Sequence, residues 1–186
     1  MSLYDIALAA HVAGVAGVFL ALGAWLYGIV LLGRATRVEQ VESAIELIEL
    51  SEPFVRVGGV LLALAGLSMA VATWGVTTGW IVAGIAGALA VGVLGGLVLE
   101  PRVKAIGAAA RALPAGPVPD DLAGRLREPL LAVGVRVDIA ILFGIVVVMT
   151  VKPELAVAVA VLAVAALAGF AWATIAGLPA ARKEPA

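Results

Sequence analysis

The chain has 186 residues, 63% of them hydrophobic and 13% charged, with mean hydropathy +1.16 and net charge −1. That balance describes an integral membrane protein with little mass outside the bilayer, and it offers nothing for a nucleic-acid partner. No cysteine is present, which excludes disulfides, thiolate catalysis, iron–sulfur ligation and thiolate zinc sites; one histidine and three methionines are too few for a copper relay within one chain.

Five apolar stretches are each long enough to cross a hydrocarbon core of about 30 Å. They cover residues 6–33, 54–75, 80–99, 130–151 and 155–178, and predict one all-α transmembrane domain over residues 1–186. The first stretch lacks a basic leading region and is too long for a signal-peptide core, so it reads as a retained helix. Between spans one and two, Val38, Val41, Ile45 and Ile48 recur at helical spacing, with Glu39, Glu42, Glu46 and Glu49 offset by one position. This predicts a short amphipathic helix over residues 38–52 that ends before Pro53. Its acidic face disfavours anionic lipid and favours packing against protein. The third connection begins with Pro101, a good first helical residue. It carries Lys104 and Arg111, which could meet Glu42 or Glu46, and breaks at the Pro-rich segment 114–121.

Small residues at a spacing of four predict close helix contacts. They are Ala13, Gly17 and Ala21 in span one; Gly58, Gly59, Ala63 and Gly66 in span two; Gly84, Ala88, Gly92 and Gly96 in span three; and Ala165, Gly169, Ala173 and Gly177 in span five. Trp74 and Trp80 bracket the turn between spans two and three, as interfacial anchors do, whereas Trp25, Tyr27 and Trp172 lie deeper and are expected to pack.

Charge sets the expected orientation. Arg34, Arg37, Arg56, Arg102, Lys104, Arg111, Arg125, Arg127, Arg182 and Lys183 fall on one side of a five-span chain, and only Lys152 falls in a connection on the other. The positive-inside rule then puts the N-terminus outside and the C-terminus in the cytoplasm of a multi-pass protein of the cell (inner) membrane.

Ionisable residues inside a membrane are costly and so mark candidate sites. Span four holds Arg136 and Asp138, two positions apart and therefore on nearly opposite faces. At a rise of ~1.5 Å per residue they lie about 9 and about 12 Å inside the boundary at residue 130. Arg56 is the expected partner of Asp138, and Glu100 that of Arg136, with Glu128 as the alternative. The four residues Arg136, Asp138, Arg56 and Glu100 form either an ion or proton site, or a site where Arg136 holds an anionic ligand, or a set of interhelical staples near the inner interface with Arg136 partly snorkelling. His11, roughly 35 Å up span one from Arg34, is either a haem or proton site or an interfacial histidine bonded to backbone. No catalytic set, phosphate loop or metal spacing is present.

Three segments carry a resemblance: HVAGVAGVFLALG after residue 10, FVRVGGVLLALAGL after residue 53, and MTVKP from Met149 to Pro153. Over roughly residues 5–153 the chain resembles a family of small integral membrane proteins of unknown function. That family is similar in layout to the copper-resistance D proteins and to the membrane protoporphyrinogen oxidase of haem synthesis. The resemblance implies a helical membrane bundle and directs interest to His11 and Lys152. The leading expectation is a non-enzymatic structural or transport-associated subunit, self-associating or part of a larger membrane complex. A haem b redox protein using His11 and a small ion or proton pathway using Arg136 and Asp138 are the alternatives.

Overall fold

A computed structural model describes residues 2–176. The end of the fifth predicted span, Gly177 and Leu178, and the tail carrying Arg182 and Lys183 lie outside the described residues, and with them the C-terminal part of the orientation argument. The described chain is all-helical. Its elements are α1 (Leu3–Arg34), α2 (Val38–Met69), α3 (Gly79–Val93), α4 (Glu100–Arg111), α5 (Asp120–Leu126), α6 (Pro129–Val151) and α7 (Leu155–Ile175). A π-helical turn, Ala70–Trp74, prolongs α2, and a second, Leu94–Leu99, fuses α3 to α4. Five of the resulting rods are long and apolar enough to cross a membrane.

α1 packs along α2, α6 packs along α7 and against α3, and α1 joins the two groups by its contact with α6. Phe19 meets Phe143 across that junction at 4.8 Å between ring centroids. Away from these seams the helices present leucine, valine and phenylalanine outward, as at Leu64, Leu97, Leu167 and Phe170. Such a surface is stable against lipid chains and costly against water.

The amphipathic segment is helical with the expected face inward: Val38, Val41, Ile45 and Ile48 are all buried. It is not a separate helix, however, because α2 runs through Pro53 without a break. Proline removes one main-chain donor and crowds the preceding turn. The carbonyl left without its main-chain donor is that of Glu49, an exposed residue, and the Ser51 hydroxyl donates to the Ile48 carbonyl in the same turn at 2.6 Å. Pro53 itself points outward.

The best-buried core therefore sits at the charged end of the bundle. Leu32, Ile45, Ile48, Leu99, Ile106, Leu122 and Leu131 bring α1, α2, the second π-helical turn, α4, α5 and the start of α6 into one cluster. α4 docks on α2 through Gly107, where an added Cβ would lie 3.0 Å from Ile45. Beside that contact Arg111 pairs with Glu49 at 2.5 Å, one turn beyond the expected Glu42 or Glu46. The hydrogen bond from Arg111 to Glu49 holds the guanidinium proton more firmly than usual, and the Glu42 and Glu46 charges add to this. The Pro-rich segment is a latch as well as a break. Val38 N–H donates to the Gly116 carbonyl at 2.9 Å, and Val118 N–H to that of Thr36 at 3.0 Å.

Small-residue packing follows the expectation on some helices only. On α7, Gly169 lies against the α6 backbone: a Cβ there would fall 2.7 Å from Val137 Cα. On α3 the expected stripe holds only at its start, where Gly84 meets Met149; Gly92 and Gly96 have nothing within 4 Å of an added Cβ. Gly87, off the stripe, faces Ile145 and Leu162 instead. Gly92→Leu is thus expected to shift stability by no more than about 0.5 kcal/mol, whereas Gly84→Leu forces Met149 out of its place. Thermal unfolding in detergent checks the pair. Equal losses would mean that α3 packs through the face opposite to the one described.

At the other end, Lys152 closes α6 in the left-handed region, at φ 53°. Its ammonium lies 4.0 Å from the Trp74 ring centroid and 5.6 Å from that of Trp80. Trp25 is buried, as expected. Tyr27 is 62% and Trp172 40% exposed, a correction: both lie on outward faces of their helices, Trp172 with one side of its ring toward Arg136.

Candidate functional site

The expected four-residue charge site does not assemble. Arg56 pairs with Glu52 one turn away on its own helix. Glu100 pairs with Lys104, and Glu128 with Arg102 at 3.2 Å. The physical reason lies in helix order: α2 packs on α1 and α4, and shares no packed face with α6. Arg56 therefore cannot reach Asp138. Arg136 faces α1 and α7, where its cleft and Trp172 lie, while Glu100 is held by Lys104 on α4.

Asp138 is left alone. It is fully buried, at 0% exposure, and neither carboxylate oxygen has a hydrogen-bond partner among the described residues. Its neighbour across the bundle is the second π-helical turn, where Oδ2 lies 3.5 Å from the position of a Cβ on Gly95. Local chemistry explains that turn. Pro101 has no N–H to give and crowds the carbonyl one turn below. The chain widens, and Glu100 N–H reaches back five residues to the Gly95 carbonyl. Arg102 then caps the Val98 carbonyl with Nη1 at 2.7 Å. Single π turns of this kind recur at functional sites, where they re-aim backbone groups. A side chain-free residue at 95 lets the widened turn approach the carboxyl group. Sequence reasoning found Asp138 and Pro101 but did not connect them.

Arg136 faces elsewhere. It is 7% exposed; Nη1 donates to the Ala132 carbonyl at 2.6 Å, and the guanidinium carbon stands 5.6 Å from the Trp172 ring centroid on α7. Its Nε has no partner. It borders a cleft of about 260 Å³ lined by Ile29, Val30, Gly33, Arg34, Ala132 and Ala176. Arg136 and Asp138 thus serve different neighbours, as their two-residue spacing requires.

His11 joins α1 to α2. Its Nδ1 lies 2.9 Å from the Leu62 carbonyl and must be the donor there, because a carbonyl only accepts. Gly66 leaves room for the ring: a Cβ would fall 2.9 Å from Cε1 and from Nδ1. In the neutral ring this fixes Nε2 as the lone-pair nitrogen. Among the described residues no three His, Asp or Glu side chains gather as a metal site. His11 and Lys152 are engaged separately, one by α2 and the other by two tryptophans. Comparison with protein-family models, with curated proteins and with solved structures finds no match to this chain.

Proposed function

We propose that this chain is a multi-pass protein of the cell membrane that acts as a non-enzymatic, transport-associated subunit, with Asp138 accepting a proton or a monovalent cation. One observation carries the reading: a fully buried carboxyl group with no partner, set against a widened helical turn. An unpaired charge in so dry a place is untenable. The group must therefore hold a proton or meet a cation, and exchange of either is the elementary step of an ion pathway. Flux through vesicles containing the purified protein tests this. With a pH-sensitive dye or a sodium or potassium gradient, wild type should dissipate at least one gradient about tenfold faster than empty vesicles, a barrier difference of ~1.4 kcal/mol. Asp138→Asn should abolish the difference. Wild-type vesicles as tight as empty ones would overturn the reading.

The orientation belongs to the same proposal. The N-terminus is external and the C-terminus cytoplasmic, because the end of the bundle built from α4, α5 and the start of α2 holds the arginines. A reporter inserted near Thr77 should read as external and one fused after Ala186 as cytoplasmic; the reverse result would invert the bundle. Self-association, or packing in a larger complex, would use outward apolar faces such as that of Leu167 and Phe170.

A second reading, haem b ligation by His11, is favoured by the Nδ1–H bond to Leu62, since metal-bound histidines are oriented by such a bond on their other nitrogen. Through it enters the proposed kinship with proteins laid out like the copper-resistance D family and the membrane protoporphyrinogen oxidase. His11 Nε2 would be the only imidazole ligand that one chain supplies. A Soret band in the purified protein that is lost in His11→Ala would support this reading, and a spectrum without one would remove it.

A further inference from the structure

The cleft beside Arg136 has the makings of a site that the ion-pathway reading does not use. It lies between α1, α6 and the end of α7, on the face of α6 away from Asp138. Two of its lining residues, Arg34 and Arg136, are cations, and none is an anion. Neither arginine forms an ion pair among the described residues, whereas Arg37, Arg56, Arg102, Lys104 and Arg111 all do. Arg136 is more than nine-tenths buried, with one nitrogen bonded to Ala132 and Nε unsatisfied. Burying a cation without a counter-charge is strongly unfavourable. The Trp172 ring offsets only part of that cost.

We propose that this cleft binds a phosphate-class anion, held by the guanidinium of Arg136 from within and by Arg34 from the rim. A planar guanidinium with free donors matches two phosphate oxygens at once. Arg34, in the last turn of α1, stays exposed where a headgroup would enter. A volume of about 260 Å³ suits a compact anion, since pockets for larger ligands start at about 300 Å³. Basic clefts between membrane helices take anionic lipid headgroups on this principle. The phosphate of a phosphatidylglycerol headgroup and free inorganic phosphate share the chemistry.

Thermal unfolding of the full-length protein in neutral detergent distinguishes these sources. Phosphatidylglycerol, phosphatidylcholine and inorganic phosphate are titrated separately. The melting temperature should rise with phosphatidylglycerol, with inorganic phosphate or with both, and not with phosphatidylcholine. A response to phosphatidylglycerol alone assigns a lipid site; one to inorganic phosphate assigns a free-anion site. Arg136→Gln should raise the half-saturating concentration by about tenfold or more, as loss of a charged hydrogen-bond donor does. Arg34→Gln should raise it several-fold, and Arg125→Gln, outside the cleft, should leave it unchanged. If Arg136→Gln does not fold, the exposed Arg34 variant carries the comparison. No rise with either anionic probe, or an equal response of Arg34→Gln and Arg125→Gln, would overturn the proposal.

Discussion

Gly58→Leu is expected to break the bundle at its first seam. A Cβ on Gly14 would lie 2.6 Å from the Gly58 carbonyl oxygen and 2.6 Å from the Leu62 nitrogen. From the other side, a Cβ on Gly58 would lie 2.9 Å from the Gly14 oxygen and 3.2 Å from the Val18 nitrogen. These are backbone atoms of two helices in direct contact, so no side-chain rotation relieves the overlap. Extra methylenes in a packed core usually cost about 1–3 kcal/mol. With backbone on both sides the loss should reach or pass the top of that range, and α1 should separate from α2. His11 would then lose Leu62, since its bond depends on the same seam. Gly59→Leu is the matched control: nothing lies within 4 Å of its Cβ, and its effect should stay within about 0.5 kcal/mol. Unfolding in detergent and cross-linking of α1 to α2 measure both. Equal melting temperatures for the two variants would show that the helices do not touch there.

That seam shows what the sequence could and could not convey. The five rods were legible because length and hydropathy are properties of a segment alone. The inward face of residues 38–48 was legible for the same reason, since its period is local. Which glycines make contact was not. Gly58 and Gly92 both sit in apolar helices at small-residue spacing, yet one meets a backbone and the other meets nothing, because the answer depends on which helix stands opposite. Pro53 misled in a related way. As a local signal it ends a helix, but α2 continues through it with Ser51 bonding the turn before it. Pro101 had the more telling effect. It widens α3 into a π turn, and no periodicity in the sequence announces that.

The candidate site divides along the same line. Depth along span four follows from counting residues, so Asp138 and Arg136 were found. Depth alone does not choose their partners, because a pair needs two helices packed face to face. Arg56 is at the right level, but α2 does not pack on α6. Local ion pairs, Arg56 with Glu52 and Lys104 with Glu100, satisfy these charges within one turn. A pair four residues apart on one helix forms without any tertiary fold, so these charges need no partner on α6.

Asp138→Asn should therefore separate stability from function. Were Asp138 an ionised partner of Arg56, removing one member of a buried pair would cost about 3–5 kcal/mol, and Arg56→Gln would cost a similar amount. With no partner on either oxygen, the amide replaces a neutral carboxyl group of almost the same shape. The expected change is under about 1 kcal/mol, the scale of one net hydrogen bond. Arg56→Gln should also be nearly silent, because its pair with Glu52 is exposed on the arginine side. The double variant should equal the sum of the two, since the residues share no contact. Infrared spectroscopy supplies the second readout. With a proton on the group, wild type should show a protonated-carboxyl band that Asp138→Asn removes, as Asp138 is the one buried acidic residue among the described residues; with a cation in its place that band should be absent in both. Vesicle flux should fall to the level of empty vesicles in the same variant. A loss of 3 kcal/mol or more in Asp138→Asn, recovered in the double variant, would restore the ion-pair reading and place Arg56 beside Asp138. Unchanged stability together with unchanged flux would leave Asp138 a tolerated buried acid without a role. Only silent stability with lost flux fits a carboxyl group kept unpaired for exchange, since such a residue contributes to transport and little to folding.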